Sequence, residues 1–146
     1  FSIKLPRPMI YQKNYDFSFS GLKTAVLYDF ESRSRKIRKS KQYIKEMCKE
    51  IQQAIIDVLI RKTLKTTKDF KAKTVILGGG VSANKELRKQ LKQVIKREMP
   101  NAKYLVPDAE HCTDNALMIA ATAYFHKLKG KKSKPKKIEA NSNLRI

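Results

Sequence analysis

The chain has 146 residues, with 33 Lys plus Arg against 13 Asp plus Glu, a formal charge of +20. That length suits one domain with a real core and is short for an enzyme that carries its own nucleotide and substrate sites. Two cysteines exclude a disulfide framework, no stretch approaches the roughly 18 apolar residues of a membrane span, and the charge points to a polyanion such as RNA or DNA, with lysine bias in the source genome as the competing explanation.

Residues 1–19 hold Leu5-Pro6-Arg7-Pro8, whose prolines force extended backbone, and then the alternating Asp16-Phe17-Ser18-Phe19-Ser20, so a loop or short edge strand is expected. No n-region or apolar h-region precedes Arg7, and a start at Phe1 is expected of a truncated chain. A short helix is predicted from Gly21 to about Phe30, followed by a solvated basic linker from Ser32 to Lys41. From Gln42 to about Leu64, residues Ile44, Met47, Cys48, Ile51, Ala54, Ile55, Val58 and Leu59 recur at three- and four-residue steps. That spacing predicts the core-packing face of a long helix, with Cys48 on it.

Thr74-Val75-Ile76-Leu77 is predicted to be a buried strand, residues 82–97 a helix, residues 104–106 a second strand, and residues 113–128 a helix, with Ser82 and Thr113 as N-cap candidates. Residues 1–128 then form the domain, and residues 129–146 a basic flexible tail able to lie along phosphates. The order α, β, α, β, α implies the α/β class, a parallel or mixed sheet covered by helices, and ligands at the carboxyl ends of the strands. The cysteine pattern fits a reducing compartment, with the cytoplasm as the expected location.

Two motifs fall at those strand ends. Gly78-Gly79-Gly80-Val81-Ser82-Ala83-Asn84 offers glycines that let a ligand approach the backbone, near a helix N-terminus suited to phosphate, and Asn84 can both donate and accept. The spacing is neither a dinucleotide fingerprint nor a P-loop, and a plain tight turn with an exposed Asn84 competes with the ligand reading. In Cys112-Thr113-Asp114-Asn115, Asp114 either complements the helix dipole or ligates a metal whose other ligands lie elsewhere. His111 and His126 are expected at the surface. There is no His-Glu-x-x-His, no Cys-x-x-Cys and no nucleophile-plus-base arrangement, which excludes a protease.

With Leu5-Pro6-Arg7-Pro8-Met9, Asp16-Phe17-Ser18-Phe19-Ser20-Gly21-Leu22-Lys23-Thr24 and Met118-Ile119-Ala120, these motifs resemble the carboxyl-terminal half of the TsaD family in its bacterial form, over residues 1 to about 125. The family comprises tRNA threonylcarbamoyladenosine transferases, formerly called glycoproteases. The resemblance implies the second lobe, in part, of an actin, Hsp70 and sugar-kinase-like (ASKHA, RNase H-like) fold. It implies transfer of the threonylcarbamoyl group from threonylcarbamoyl-AMP to the adenosine beside the anticodon of tRNAs reading ANN codons. It further implies that Gly78, Gly79 and Gly80 lie against the nucleotide, that Asn84 contacts substrate, and that Asp114 binds an iron or zinc ion.

The family's other metal ligands are two histidines of an amino-terminal half absent here, so the fragment alone is expected to be inactive. Leu117 replaces the family's usual small residue and is expected to crowd the first turn behind Asp114. Expected partners are tRNA and the pathway proteins TsaB and TsaE, with the basic linker and tail contacting phosphates. The alternatives are another enzyme of the superfamily and a non-catalytic basic RNA-binding module derived from this family.

Overall fold

The computed structural model describes residues 2–130. The chain enters through an extended segment carrying the two early prolines and then forms helix α1 (Ser20–Ser32). A single-turn helix α2 (Arg35–Arg38) follows, capped by the Ser34 hydroxyl, which accepts from the Ile37 amide at 3.5 Å. This corrects the expectation of an unstructured linker, because Ile37 packs onto the core formed by Leu5, Leu22, Tyr43, Met47 and Ala54. The basic side chains around it stay at the surface, as a cationic turn requires.

Helix α3 (Lys41–Asp69) is the spine of the molecule, 29 residues and so about 43 Å long. Ser40 caps it by accepting from the Tyr43 amide at 3.2 Å. One buried line runs through Tyr43, Met47, Ala54, Val58 and Lys62, and Ile56 and Thr67 are buried on a second face. The predicted face was displaced: Ile44 and Cys48 are exposed, because the first core packs against the Tyr43–Met47 edge. Lys62 is buried at 3% exposure, and its ammonium donates to the carbonyls of Gln12 (3.0 Å) and Asn14 (2.8 Å), tying the entry loop to α3. Three donors on one buried cation need such acceptors.

Strand β1 (Thr74–Ile76) pairs in parallel with β2 (Lys103–Leu105), in register Thr74↔Lys103, Val75↔Tyr104 and Ile76↔Leu105. Helix α4 (Lys85–Glu98) makes the crossover between them and buries Leu87, Leu91 and Ile95. Leu91, Ile95 and Val75 form a second core against the sheet. The result is one βαβ unit packed on a long helix.

The last helix, α5 (Ala116–Leu128), departs from the expected layering: none of its residues is buried. Leu117, Ile119, Tyr124, Phe125 and Leu128 are each 59–65% exposed, so the sheet has no helix on that side among the described residues. Leu117, turned mostly to solvent, does not crowd the turn behind Asp114 among the described residues. The basic tail, residue 131 onward, lies outside the described residues.

Candidate functional site

The site begins where β1 ends. The Leu77 amide donates to the Leu105 carbonyl at 2.9 Å as the last rung beside the strand, and the chain then turns at Gly79, with φ +82° and ψ 171°. That left-handed φ is the specific demand on glycine, since a side chain at this position is strained wherever it points. A Cβ added at Gly78 or Gly79 meets nothing within 4 Å, so the turn faces open space at the carboxyl end of the sheet.

A 3₁₀ turn (Gly80–Ala83) follows, and Ser82, fully buried, locks it: its amide (2.9 Å) and its hydroxyl (2.6 Å) both donate to the Gly79 carbonyl. With its hydroxyl so engaged Ser82 cannot cap α4, and the cap is Asn84 instead. The Asn84 Oδ1 accepts from the Leu87 amide at 2.9 Å, and its Nδ2 donates to Gln52 Oε1 at 3.0 Å. A primary amide carries two donors and two acceptor sites, so one of each remains for a ligand. Beside it lies an apolar cleft of about 290 Å³, lined by Cys48, Ile51, Ile55, Val81 and Leu87.

The second motif packs behind the first. Thr113 Cγ2 lies 4.0 Å from a Cβ built at Gly80, closing a gap of 33 residues in sequence. Arg88 joins the two: its Nε donates to the Ser82 carbonyl and its Nη2 to Cys112 Sγ at 2.9 Å. Cys112 is 5% exposed, and its thiol also reaches the Asp108 carbonyl at 3.3 Å. Sequence reasoning passed over Arg88, whose partners are 6 and 24 residues away and leave no local pattern.

Asp114 is exposed, and no hydrogen bond or ion pair engages it among the described residues. The cap of α5 is Asn115, accepting from the Met118 amide at 3.0 Å, which corrects the assignment to Thr113 and leaves Asp114 outside the helix. His111 lies near the surface, its Nδ1 4.0 Å from Glu110, and His126 is exposed on α5. Among the described residues no group of three or more His, Cys, Asp or Glu side chains converges to hold a metal.

On β2, packed against the second core, the Tyr104 hydroxyl is buried with no hydrogen-bond partner among the described residues, and burial raises its pKa although the Arg88 charge pulls the other way. Tyr104→Phe should leave stability unchanged or raise it by up to about 1 kcal/mol, because it removes an unmet polar group. Thermal unfolding checks this; a clear loss of stability would show that the hydroxyl is engaged.

A βαβ unit with an open glycine turn at the end of its first strand places the chain among α/β proteins that take ligands at that edge. The chain belongs to the TsaD family, tRNA N6-adenosine threonylcarbamoyltransferase, whose family model matches residues 2–121. It is 43% identical over 141 residues to the tRNA N6-adenosine threonylcarbamoyltransferase of Thermosipho africanus, a match covering 97% of this chain and 41% of that protein. It is 40% identical over 131 residues to the protein of the same name from Geobacillus thermodenitrificans, covering 90% of this chain and 37% of the relative. The chain thus spans well under half the length of the relatives it matches.

Proposed function

We propose that this chain forms part of an enzyme of tRNA modification, one that transfers the threonylcarbamoyl group from threonylcarbamoyl-AMP to the adenosine adjacent to the anticodon of tRNAs reading ANN codons. The supporting observation is the meeting of the two motifs at Gly80 and Thr113, held by Arg88, at the open edge of the sheet. In this reading the chain is part of the second lobe of an ASKHA fold. The remaining length of the relatives supplies the facing lobe, and the chain alone is inactive.

Gly78, Gly79 and Gly80 leave the backbone open to the nucleotide, and the remaining donor and acceptor of Asn84 orient the substrate beside it. The described residues do not by themselves fit a metal ion, since Asp114 stands as a lone carboxylate. Its assigned part is one ligand of an iron or zinc ion, the rest of the set lying outside this chain. TsaB and TsaE are the proposed protein partners, in the cytoplasm.

The test uses the enzyme completed to the length of its relatives. Asn84→Ala should weaken adenylate binding and also cost about 1 kcal/mol of stability through the lost cap. Asn84→Ser keeps a capping oxygen, so it should hold stability and still weaken binding measured by calorimetry. Unchanged binding in the serine variant would reduce Asn84 to a cap. Asp114→Ala should lower metal content by elemental analysis, and unchanged content removes the ligand assignment. The alternative, a non-catalytic basic RNA-binding module, is favoured by the charge of +20 and predicts salt-sensitive tRNA binding by this chain with no adenylate binding.

A further inference from the structure

Across the α3–α4 crossing from the glycine turn lies a second and larger groove. Gln53 and Gln90 mark the crossing by exchanging amide hydrogen bonds at 3.0 and 2.9 Å. On α3, Cys48, Ile51 and Ile55 face the small apolar cleft, whereas Asp57, Arg61, Leu64 and Lys68 lie roughly half a helical turn away and line the groove. Its volume is about 750 Å³, with the entry loop at Tyr11 to Lys13 as one wall and α4 from Gln90 to Glu98 as the other.

The lining carries six cations against two carboxylates, Asp57 and Glu98. Both acids are already engaged: Asp57 by Arg7, and Glu98 by Lys68 at 3.1 Å and Arg97 at 3.2 Å. Lys13 and Arg61 have no carboxylate partner among the described residues. Tyr11 is 82% exposed, with the Arg61 guanidinium 5.4 Å from its ring centre. An exposed aromatic ring beside unpaired cations, in an open groove, is the combination that takes a nucleic-acid backbone and stacks a base.

We infer that this groove, between the entry loop, α3 and α4, seats the sugar-phosphate backbone of the RNA substrate, with Lys13, Arg61 and Arg97 on phosphates and Tyr11 as a stacking platform. The inference rests on the tRNA-modification reading and assigns it a surface. Asn84 and Arg97 stand 13 residues apart on α4, about 20 Å, so one RNA can occupy the groove while presenting a nucleoside at the glycine turn. Contacts of this kind position the RNA and carry no sequence information.

The test compares two triple variants of the completed enzyme with the same net charge. One is Lys13→Glu, Arg61→Glu, Arg97→Glu in the groove; the other is Lys23→Glu, Lys45→Glu, Lys49→Glu on exposed positions away from it. The groove variant should lose at least about 30-fold in tRNA affinity at physiological salt, and its slope of log K against log salt should shrink by about 2 to 3, as for three lost phosphate contacts. The control should change less than about threefold. Tyr11→Ala, at a position too exposed to threaten folding, should lose about tenfold.

Equal losses in both triple variants would show a diffuse charge effect and overturn the groove. Full tRNA affinity in the groove variant would overturn it too, and loss of an acidic protein partner by that variant would reassign the surface to protein. Absence of tRNA binding by the unsubstituted enzyme would overturn the tRNA-modification reading together with the groove.

Discussion

Replacing Arg7 by alanine is expected to destabilise the fold by about 2 kcal/mol, in the range for charge-assisted hydrogen bonds removed from a partly buried site. Arg7 is the fork that pins the entry segment to α3. It pairs with Glu50, its Nε donates to Asp57 at 3.0 Å, and its Nη1 donates back to the Leu5 carbonyl at 2.8 Å. Prolines on either side hold the segment extended, so the guanidinium meets both carboxylates with little entropy left to lose. Glu50 also accepts from the Leu5 amide at 3.0 Å, which makes it the node of the arrangement.

The same contact sets a pH dependence. Desolvation pushes the Glu50 carboxyl upward, but the Arg7 guanidinium and the Leu5 amide outweigh it and hold its pKa below the ordinary 4.5. A carboxylate depressed in the folded state adds stability that is complete above its unfolded pKa and is lost as pH falls through the folded one. Urea unfolding between pH 6 and 3 should show the unsubstituted protein losing stability below about 4.5, with a shallower loss in Arg7→Ala. Parallel curves would mean that Arg7 does not hold Glu50.

Arg88→Met carries the second large effect, and it acts on the site. Methionine keeps the aliphatic volume but leaves the carbonyl of the fully buried Ser82 and the Cys112 sulfur without their charged donor, at a cost of about 2 kcal/mol. The two motifs should then move independently. Amide hydrogen exchange should quicken together at residues 78–82 and 109–115 while α1 and the first half of α3 keep their protection, and adenylate binding by the completed enzyme should fall. Unchanged exchange in the Cys112 loop would show that the loop is held by other contacts. Arg88→Lys should rescue little, because one ammonium replaces a fork that spans two acceptors.

Local periodicity located helices α1, α3, α4 and α5, and an apolar run located β1, but β1 is buried only at Val75, with Ile76 73% exposed, because no helix covers its other face among the described residues. Their ends were harder. Helix α3 was predicted to stop at Leu64, where apolar residues run out, yet it continues to Asp69. Lys65 pairs with Asp69 one turn on and Thr67 is buried against the rest of the fold, so a polar stretch remains helical. The helix starts differ too: the caps are Asn84 and Asn115 in place of Ser82 and Thr113, and the Ser82 hydroxyl is held locally by the Gly79 carbonyl.

In the proposed site, the glycines, Asn84 and Asp114 are candidates by residue type, close to the starts of α4 and α5. The work of Arg88 was not legible, since a donor that reaches 24 residues ahead has no sequence signature. Nor was the exposure of Cys48, because helical periodicity reports that a stripe exists but not which edge of it the neighbouring elements cover.

Helix α5 is 13 residues long with no buried side chain, and a peptide helix of that length is marginal in water. Asp114 stands two residues before its first turn, with Asn115 as the cap between them. Among the described residues Cys112 and Thr113 hold the chain before that carboxylate, and little packs on the helix that follows it. A surface that covers Leu117, Phe125 and Leu128 would order the helix and fix Asp114. By reciprocity, a ligand fastened through Asp114 would tighten the docking of that surface by the same factor. Assembly and ligand capture at this end of the molecule would then be two readings of one free energy.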